Sequence, residues 1–144
     1  MGAITAAGFE ILTVDATDGP ATFSGITSTG LTTVTITGSS NVTTGTVGPA
    51  SGVTVLNITT SGVTGNFNGT FDYLASGATY TGGSGNDTVT FGTNSTGTSS
   101  TVNLGEGNNT FVGDTDTACT DTITTGSGND VLTPGPGADT MTVG

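Results

Sequence analysis

The chain has 144 residues, 11 of them acidic, with no Lys, Arg or His and a formal charge of -11. This excludes side-chain ion pairs within the chain, neutralisation of nucleic-acid phosphates, attraction to an anionic membrane surface, and Ser-His-Asp, Cys-His and P-loop chemistry. With 31% hydrophobic residues, 6% aromatic and no Trp, there is material only for a thin core.

Low hydrophobicity with charge of one sign is the composition of a disordered chain. Against that, Val, Ile, Leu and Phe recur throughout between Thr residues, and Thr and Val favour a pleated backbone. The length suits one domain, 1–144. The opening MGAITAAGFEIL lacks the positive start and long apolar run of a signal peptide. No segment approaches the roughly 20 apolar residues of a membrane span. Cys119 is the one cysteine, so no intrachain disulfide can form.

Strand-like elements follow in order, each an apolar residue flanked by Thr, Asn or Asp. They centre on Val14, Ile36, Ile58, Tyr80, Val102 and Ile123, at steps of 22, 22, 22, 22 and 21. Two positions earlier stand Leu12, Val34, Leu56, Ala78, Ser100 and Asp121, a column that turns from apolar to polar. Asp121 falls inside it unless the register slips by one. A constant step with strand alternation predicts an all-β parallel solenoid, in which stacked coils share a core that no coil can bury alone. A β-sandwich also has short strands, but not a constant step. Six coils at about 4.8 Å each would form a rod roughly 30 Å long.

The turns divide the chain. Residues 1–78 are Thr/Gly-rich coils with few acids in their turns, whereas 79–144 carry Gly, Asn and Asp. Three turns follow late strands: Gly83-Ser84-Gly85-Asn86-Asp87, Gly105-Glu106-Gly107-Asn108-Asn109 and Gly126-Ser127-Gly128-Asn129-Asp130. Their spacing predicts a stack along one edge. Gly135-Pro136-Gly137-Ala138-Asp139 comes only nine residues after the third, a step that crosses to the opposite edge. A second column is expected there, from Gly92-Thr93-Asn94 and Gly113-Asp114-Thr115-Asp116, with Asp114, Asp116 and Asp139 as its acids. Glycines at these positions permit positive φ and inward carbonyls. Carbonyl and carboxylate oxygens are the ligands that Ca²⁺ takes in numbers. The predicted ligand turns are therefore Gly83, Gly85, Asp87, Gly105, Gly107, Asn109, Gly126, Gly128, Asp130, Gly137 and Asp139, with Asp114 and Asp116. Plain tight turns with Asp as turn former are the bland alternative, and for Asp15, Asp18 and Asp72 the preferred one.

The stretch GGSGNDTVT, residues 82–90, matches in full the nonapeptide GGxGxDxUx of the RTX, or hemolysin-type calcium-binding, family. TGSGNDVLT (125–133), PGPGADTMT (134–142) and LGEGNNTFV (104–112) depart from it, the last in lacking the Asp. The C-terminal 45% or so of the chain thus resembles that family. The resemblance implies a parallel β-roll with Ca²⁺ between turns. The neutral Asn109 lowers the charge offered to an ion, and Glu106 is the acid nearest to compensate.

Without His, Lys or Arg, and with a thin rod offering no large pocket, no enzyme is expected; a carboxylate pair for glycoside hydrolysis is the one catalytic option the composition leaves. Solenoids need capping units, and no amphipathic cap helix is visible, so two open ends would invite head-to-tail stacking. The composition is similar to that of extracellular matrix fibres and bacterial surface layers, in particular to the calcium-binding part of RTX-type surface-layer proteins. The expected function is an extracellular structural protein that folds and self-assembles with calcium. Its partners would be calcium ions and copies of itself, with no nucleic acid and no membrane insertion. It would be secreted without an N-terminal signal peptide. Two alternatives remain. One is a spacer module of a larger secreted RTX adhesin or toxin. The other is an ice-binding face built from Thr35/Thr37, Asn57/Thr59, Thr79/Thr81, Thr101/Asn103 and Thr122/Thr124.

Overall fold

The computed structural model describes residues 2–48, 55–72, 74–92 and 99–144. Fifteen strands follow one another, with no helix among the described residues: β1 (Ile4–Thr5), β2 (Ile11–Asp15), β3 (Ala21–Thr22), β4 (Gly25–Thr27), β5 (Thr33–Gly38), β6 (Val42–Gly48), β7 (Val55–Val63), β8 (Phe67–Phe71), β9 (Leu74–Thr81), β10 (Thr88–Phe91), β11 (Thr101–Asn103), β12 (Thr110–Val112), β13 (Thr122–Thr124), β14 (Val131–Thr133) and β15 (Thr140–Thr142). From β4 on, consecutive strands alternate between two sheets. One sheet runs β1-β4-β6-β8-β10-β12-β14, with β3 also on β6, and the other runs β2-β5-β7-β9-β11-β13-β15. Every pairing is parallel. This is a two-sheet β-solenoid of about six coils, as the repeat predicts.

The core lies between the sheets. Val14, Ile36, Ile58, Tyr80, Val102 and Ile123, the six centres read from the sequence, are all buried. Midway along the stack, Phe67, Phe71 and Tyr80 have ring centroids 5.9 to 6.3 Å apart, and Phe91 and Phe111 meet edge-on at 5.1 Å. Burying each such ring contributes roughly 1.5–3 kcal/mol, so a few aromatics hold a core that the composition otherwise leaves thin. Gly69 makes room for them: a Cβ there would fall 2.6 Å from the Phe67 ring.

The coils are not all one length. In the second sheet Thr33 pairs with Asn57, which pairs with Thr79, and the column continues through Thr101 and Thr122 to Thr140. The steps are therefore 24, 22, 22, 21 and 18 residues. This corrects the register expected between Ile36 and Ile58: Ile58 stacks on Val34, whereas Ile36 stacks on Val14. The cause is a coil of 24 residues, and bulges then follow in both sheets. Pairing jumps from Thr35/Thr59 to Thr37/Gly62, and from Thr43/Asn68 to Gly45/Gly69. At the first bulge Thr60 turns inward, and its Oγ1 lies 2.8 Å from the Tyr80 hydroxyl. Burial drives the Tyr80 phenol well above its usual range.

The same step moves the Thr ladder. Thr33/Thr35, not Thr35/Thr37, stand beside Asn57/Thr59. From there the outward pairs Thr79/Thr81, Thr101/Asn103, Thr122/Thr124 and Thr140/Thr142 follow in register. The Leu56 side chain, which the sequence places in the inner column, and Thr93 and Asn94, which it places in a turn, lie outside the described residues.

Candidate metal-binding turns

Alternation between the sheets creates two edges. Residues 82–87, 104–109 and 125–130 connect the second sheet to the first, and 134–139 return from the first to the second. The nine-residue step does cross the rod.

Stacking at the first edge is tight. A Cβ on Gly85 would fall 2.1 Å from the Gly65 carbonyl oxygen, one on Gly107 2.3 Å from that of Gly85, and one on Gly128 2.0 Å from that of Gly107. Gly105, Gly107, Gly128, Gly135 and Gly137 adopt positive φ as expected. Gly83, Gly85 and Gly126 do not. Close approach of the next backbone, rather than φ, requires glycine at Gly83 and Gly85.

Two side-chain ladders run along this edge in opposite directions. In one, the backbone N–H of Phe67 donates to Asp87 Oδ1, that of Asp87 to Asn109 Oδ1, and that of Asn109 to Asp130 Oδ1, each at 2.9 Å. In the other, Asn66, Asn86, Asn108 and Asn129 donate their backbone N–H to the side-chain oxygens of Asn41, Asn66, Asn86 and Asn108. The sequence reading did not contain this asparagine spine. Its signal was the Asn that precedes Phe67, Asp87, Asn109 and Asp130 in each coil.

Asp87 is 1% exposed, and its Oδ2 is buried without a hydrogen-bond partner. Burial pushes its carboxyl up to about 6, against the opposing pull of the Phe67 and Gly83 amides. Asp130, in the same column, is half-buried. Glu106 does not turn inward to make up for Asn109. It is exposed, and its Oε2 accepts both the backbone N–H and the hydroxyl of Ser127 in the next turn. Those bonds lower its pKa.

The second edge is assembled differently from the expectation. Gly135 stacks on Asp114, since a Cβ would fall 2.3 Å from the Asp114 carbonyl oxygen. Gly137 stacks likewise on the Cys119 carbonyl. Asp114 is buried, with Oδ1 accepting the Asp116 N–H at 2.9 Å and Oδ2 3.4 Å from Cys119 Sγ. Asp116 is turned to its own loop, its Oδ1 accepting the Ala118 N–H at 3.0 Å. The ladder here is Ser100, Asp121 and Asp139: Ser100 donates its N–H to Asp121 Oδ1 at 2.8 Å, and Asp121 donates its own to Asp139 Oδ1 at 2.9 Å.

Asp121 is thus the residue that sequence reasoning missed as a site. No slip of register occurs at Thr122, which pairs with Thr101. Asp121 is 1% exposed, and its Oδ2, like that of Asp87, is buried without a hydrogen-bond partner. Burial again raises its carboxyl to about 6, with Asp114 and Asp139 adding to the effect. The recoverable signal was Asp-Thr-x-Thr, shared by residues 87–90, 121–124 and 139–142.

Among the described residues no group of three or more Asp, Glu and Cys side chains forms a metal cluster. An ion at either edge would take most of its ligands from backbone carbonyls, which suits a hard cation with many oxygen ligands. The orphaned oxygens of Asp87 and Asp121 fit that role, because a buried unpaired carboxylate is costly without a cation.

Fold and turns together define a parallel β-solenoid with oxygen-rich, metal-seeking edges. The RTX calcium-binding nonapeptide repeat matches this chain in four copies, over residues 79–93 and 120–142. The chain thus carries RTX repeats in its C-terminal half, and Ca²⁺ is their ion. RTX β-roll repeats are a structural kind of domain, typical of secreted proteins. No curated protein and no solved structure matches the chain. No helix of the described residues is long and apolar enough to cross a membrane.

Proposed function

We propose that this chain is an extracellular structural module whose solenoid is stabilised by calcium and then stacks end to end into fibres or layers. The observation that carries the calcium half is the pair of buried, partnerless oxygens, Asp87 Oδ2 at one edge and Asp121 Oδ2 at the other. Asp87 and Asp130 with carbonyls of the Gly83 and Gly126 turns would hold ions at the first edge. Asp121 and Asp139, with Asp114 and the Gly137 turn, would do so at the second. Bound calcium supplies the positive charge that a chain of formal charge -11 lacks and adds its binding free energy to folding, since no site exists in the unfolded chain. The chain's own groups set the stage: ladder bonds through Oδ1 hold Asp87, Asp121, Asp130 and Asp139, leaving Oδ2 for the ion.

Support for end-to-end growth comes from the terminal coils. Among the described residues the outermost strands β1, β2, β14 and β15 are each paired on one side. Met141, which continues the inward column of the buried Ile123, is exposed at 50% there, and Val143 at 67%. Parallel edges with exposed apolar residues are templates for a further coil. Titrating metal-free protein with Ca²⁺ under light scattering and electron microscopy tests both halves. Filaments or sheets that dissolve in EDTA are expected. Folding to a stable monomer would replace assembly by the spacer reading, and no response to calcium would overturn the proposal.

One observation favours a second reading. The outward Thr pairs from Asn57/Thr59 to Thr140/Thr142 are in register over five coils, a repeat suited to ice. Shaping of ice crystals by the wild type, lost in Thr59→Tyr and Thr81→Tyr, would establish it.

A further inference from the structure

We propose that Asn109 takes the place of calcium in its own turn, so that the turn Gly105–Asn109 is closed by a side-chain amide and holds no ion. The inference rests on the reading of the Asp turns as calcium sites and revises one part of it. The motif counts Gly105, Gly107 and Asn109 as ligands, but their contacts point elsewhere.

Asp87 and Asn109 occupy one ladder position, since Thr88 and Thr110 pair across adjacent coils. Both use Oδ1 in the same way, accepting a backbone N–H from the preceding coil at 2.9 Å. They differ at the other terminal atom. Asp87 Oδ2 is buried with no hydrogen-bond partner. Asn109 Nδ2 lies 3.4 Å from the Gly105 carbonyl oxygen, 3.3 Å from that of Glu106 and 3.2 Å from that of Gly107. The Asp87 N–H can only donate, so the atom it meets must be the oxygen of the Asn109 amide and the atom facing the turn must be nitrogen. Two N–H groups are shared among three carbonyls. The partial positive charge those carbonyls require is already covalently present.

Two further observations agree. Glu106, the acid available to raise the charge of this turn, is spent on Ser127. The RTX match covers 79–93 and 120–142 and passes over residues 104–112. The consequence is a coil that keeps its shape without metal between two that need it. Ions held by Asp87 and Asp130 would then lie two coils apart, about 9.6 Å, rather than about 4.8 Å, which weakens their mutual repulsion.

The test uses the whole chain. Hydrogen exchange of the Asn109 side-chain amide is followed by NMR in EDTA and in excess Ca²⁺, and bound calcium is counted by equilibrium dialysis for wild type, N109A, N109D and D87N. The expected results are slow exchange of the Asn109 amide protons with or without metal, an unchanged ion count in N109A, one more ion in N109D and one fewer in D87N. The Asn109 exchange measurement needs no variant, so it stands if N109A fails to fold. A wild-type chain that binds no calcium overturns the proposed function. One that binds calcium, but loses an ion in N109A, gains none in N109D, or stays folded in EDTA while the Asn109 amide protons exchange freely, overturns the amide closure alone.

Discussion

Asp87 donates its backbone N–H to Asn109 Oδ1 at 2.9 Å, linking a carboxylate whose other oxygen is buried without a hydrogen-bond partner to an amide whose nitrogen faces three carbonyls. One position in two adjacent coils therefore presents opposite polarity to the turn. On the proposed reading, the residue at this position sets whether its turn takes an ion.

Asp87→Asn should convert the first turn into a copy of the second. Removing an uncompensated buried charge is worth about 1–3 kcal/mol, so metal-free D87N should be more stable than wild type by that order while responding less to calcium. Thermal unfolding in EDTA and in Ca²⁺ measures both. A variant less stable in EDTA would contradict the account.

The pH dependence of the metal-free fold should be inverted relative to an ordinary acidic protein. Asp87 and Asp121 are raised to about 6 from 3.8, so the folded state holds their protons more tightly than the unfolded state does. Their stabilising effect is complete below about 3.8 and is lost as pH rises through about 6. In EDTA the midpoint of unfolding should fall between pH 4.5 and pH 7, and the drop should be smaller in D87N. In saturating calcium it should rise over the same interval, because ion and proton compete. Calorimetry at several pH values checks the sign.

Gly85→Ala should be destabilising by about 1–3 kcal/mol or more, since its Cβ would meet the Gly65 carbonyl at 2.1 Å. Gly19→Ala is the control: nothing lies within 4 Å of its Cβ and its φ is ordinary. Equal effects of the two would mean that coil contact does not select glycine at the edge.

Phe71→Ala should cost about 3–5 kcal/mol, because Phe71 is fully buried between Phe67 and Tyr80. Denaturant unfolding in saturating calcium isolates this packing term. A loss below about 1 kcal/mol would show that the ions, not the aromatic centre, hold the middle coils.

The period of about 22, the parallel stack, the six inward centres and the RTX repeats were legible in the sequence. Each coil must bury one face of a strand and turn at a fixed place, so local alternation and glycine spacing leave a record that needs no contact map. Other features were decided only in three dimensions. The sequence placed Ile58 after Ile36, but a coil of 24 residues aligns it with Val34. It grouped Asp116 with Asp139, but backbone hydrogen bonding between coils selects Asp121. It counted Asn109 as a weak ligand, because the residue type does not reveal which amide atom faces the turn. That orientation is dictated by the Asp87 N–H of the preceding coil, 22 positions away along the chain and adjacent only once the coils stack.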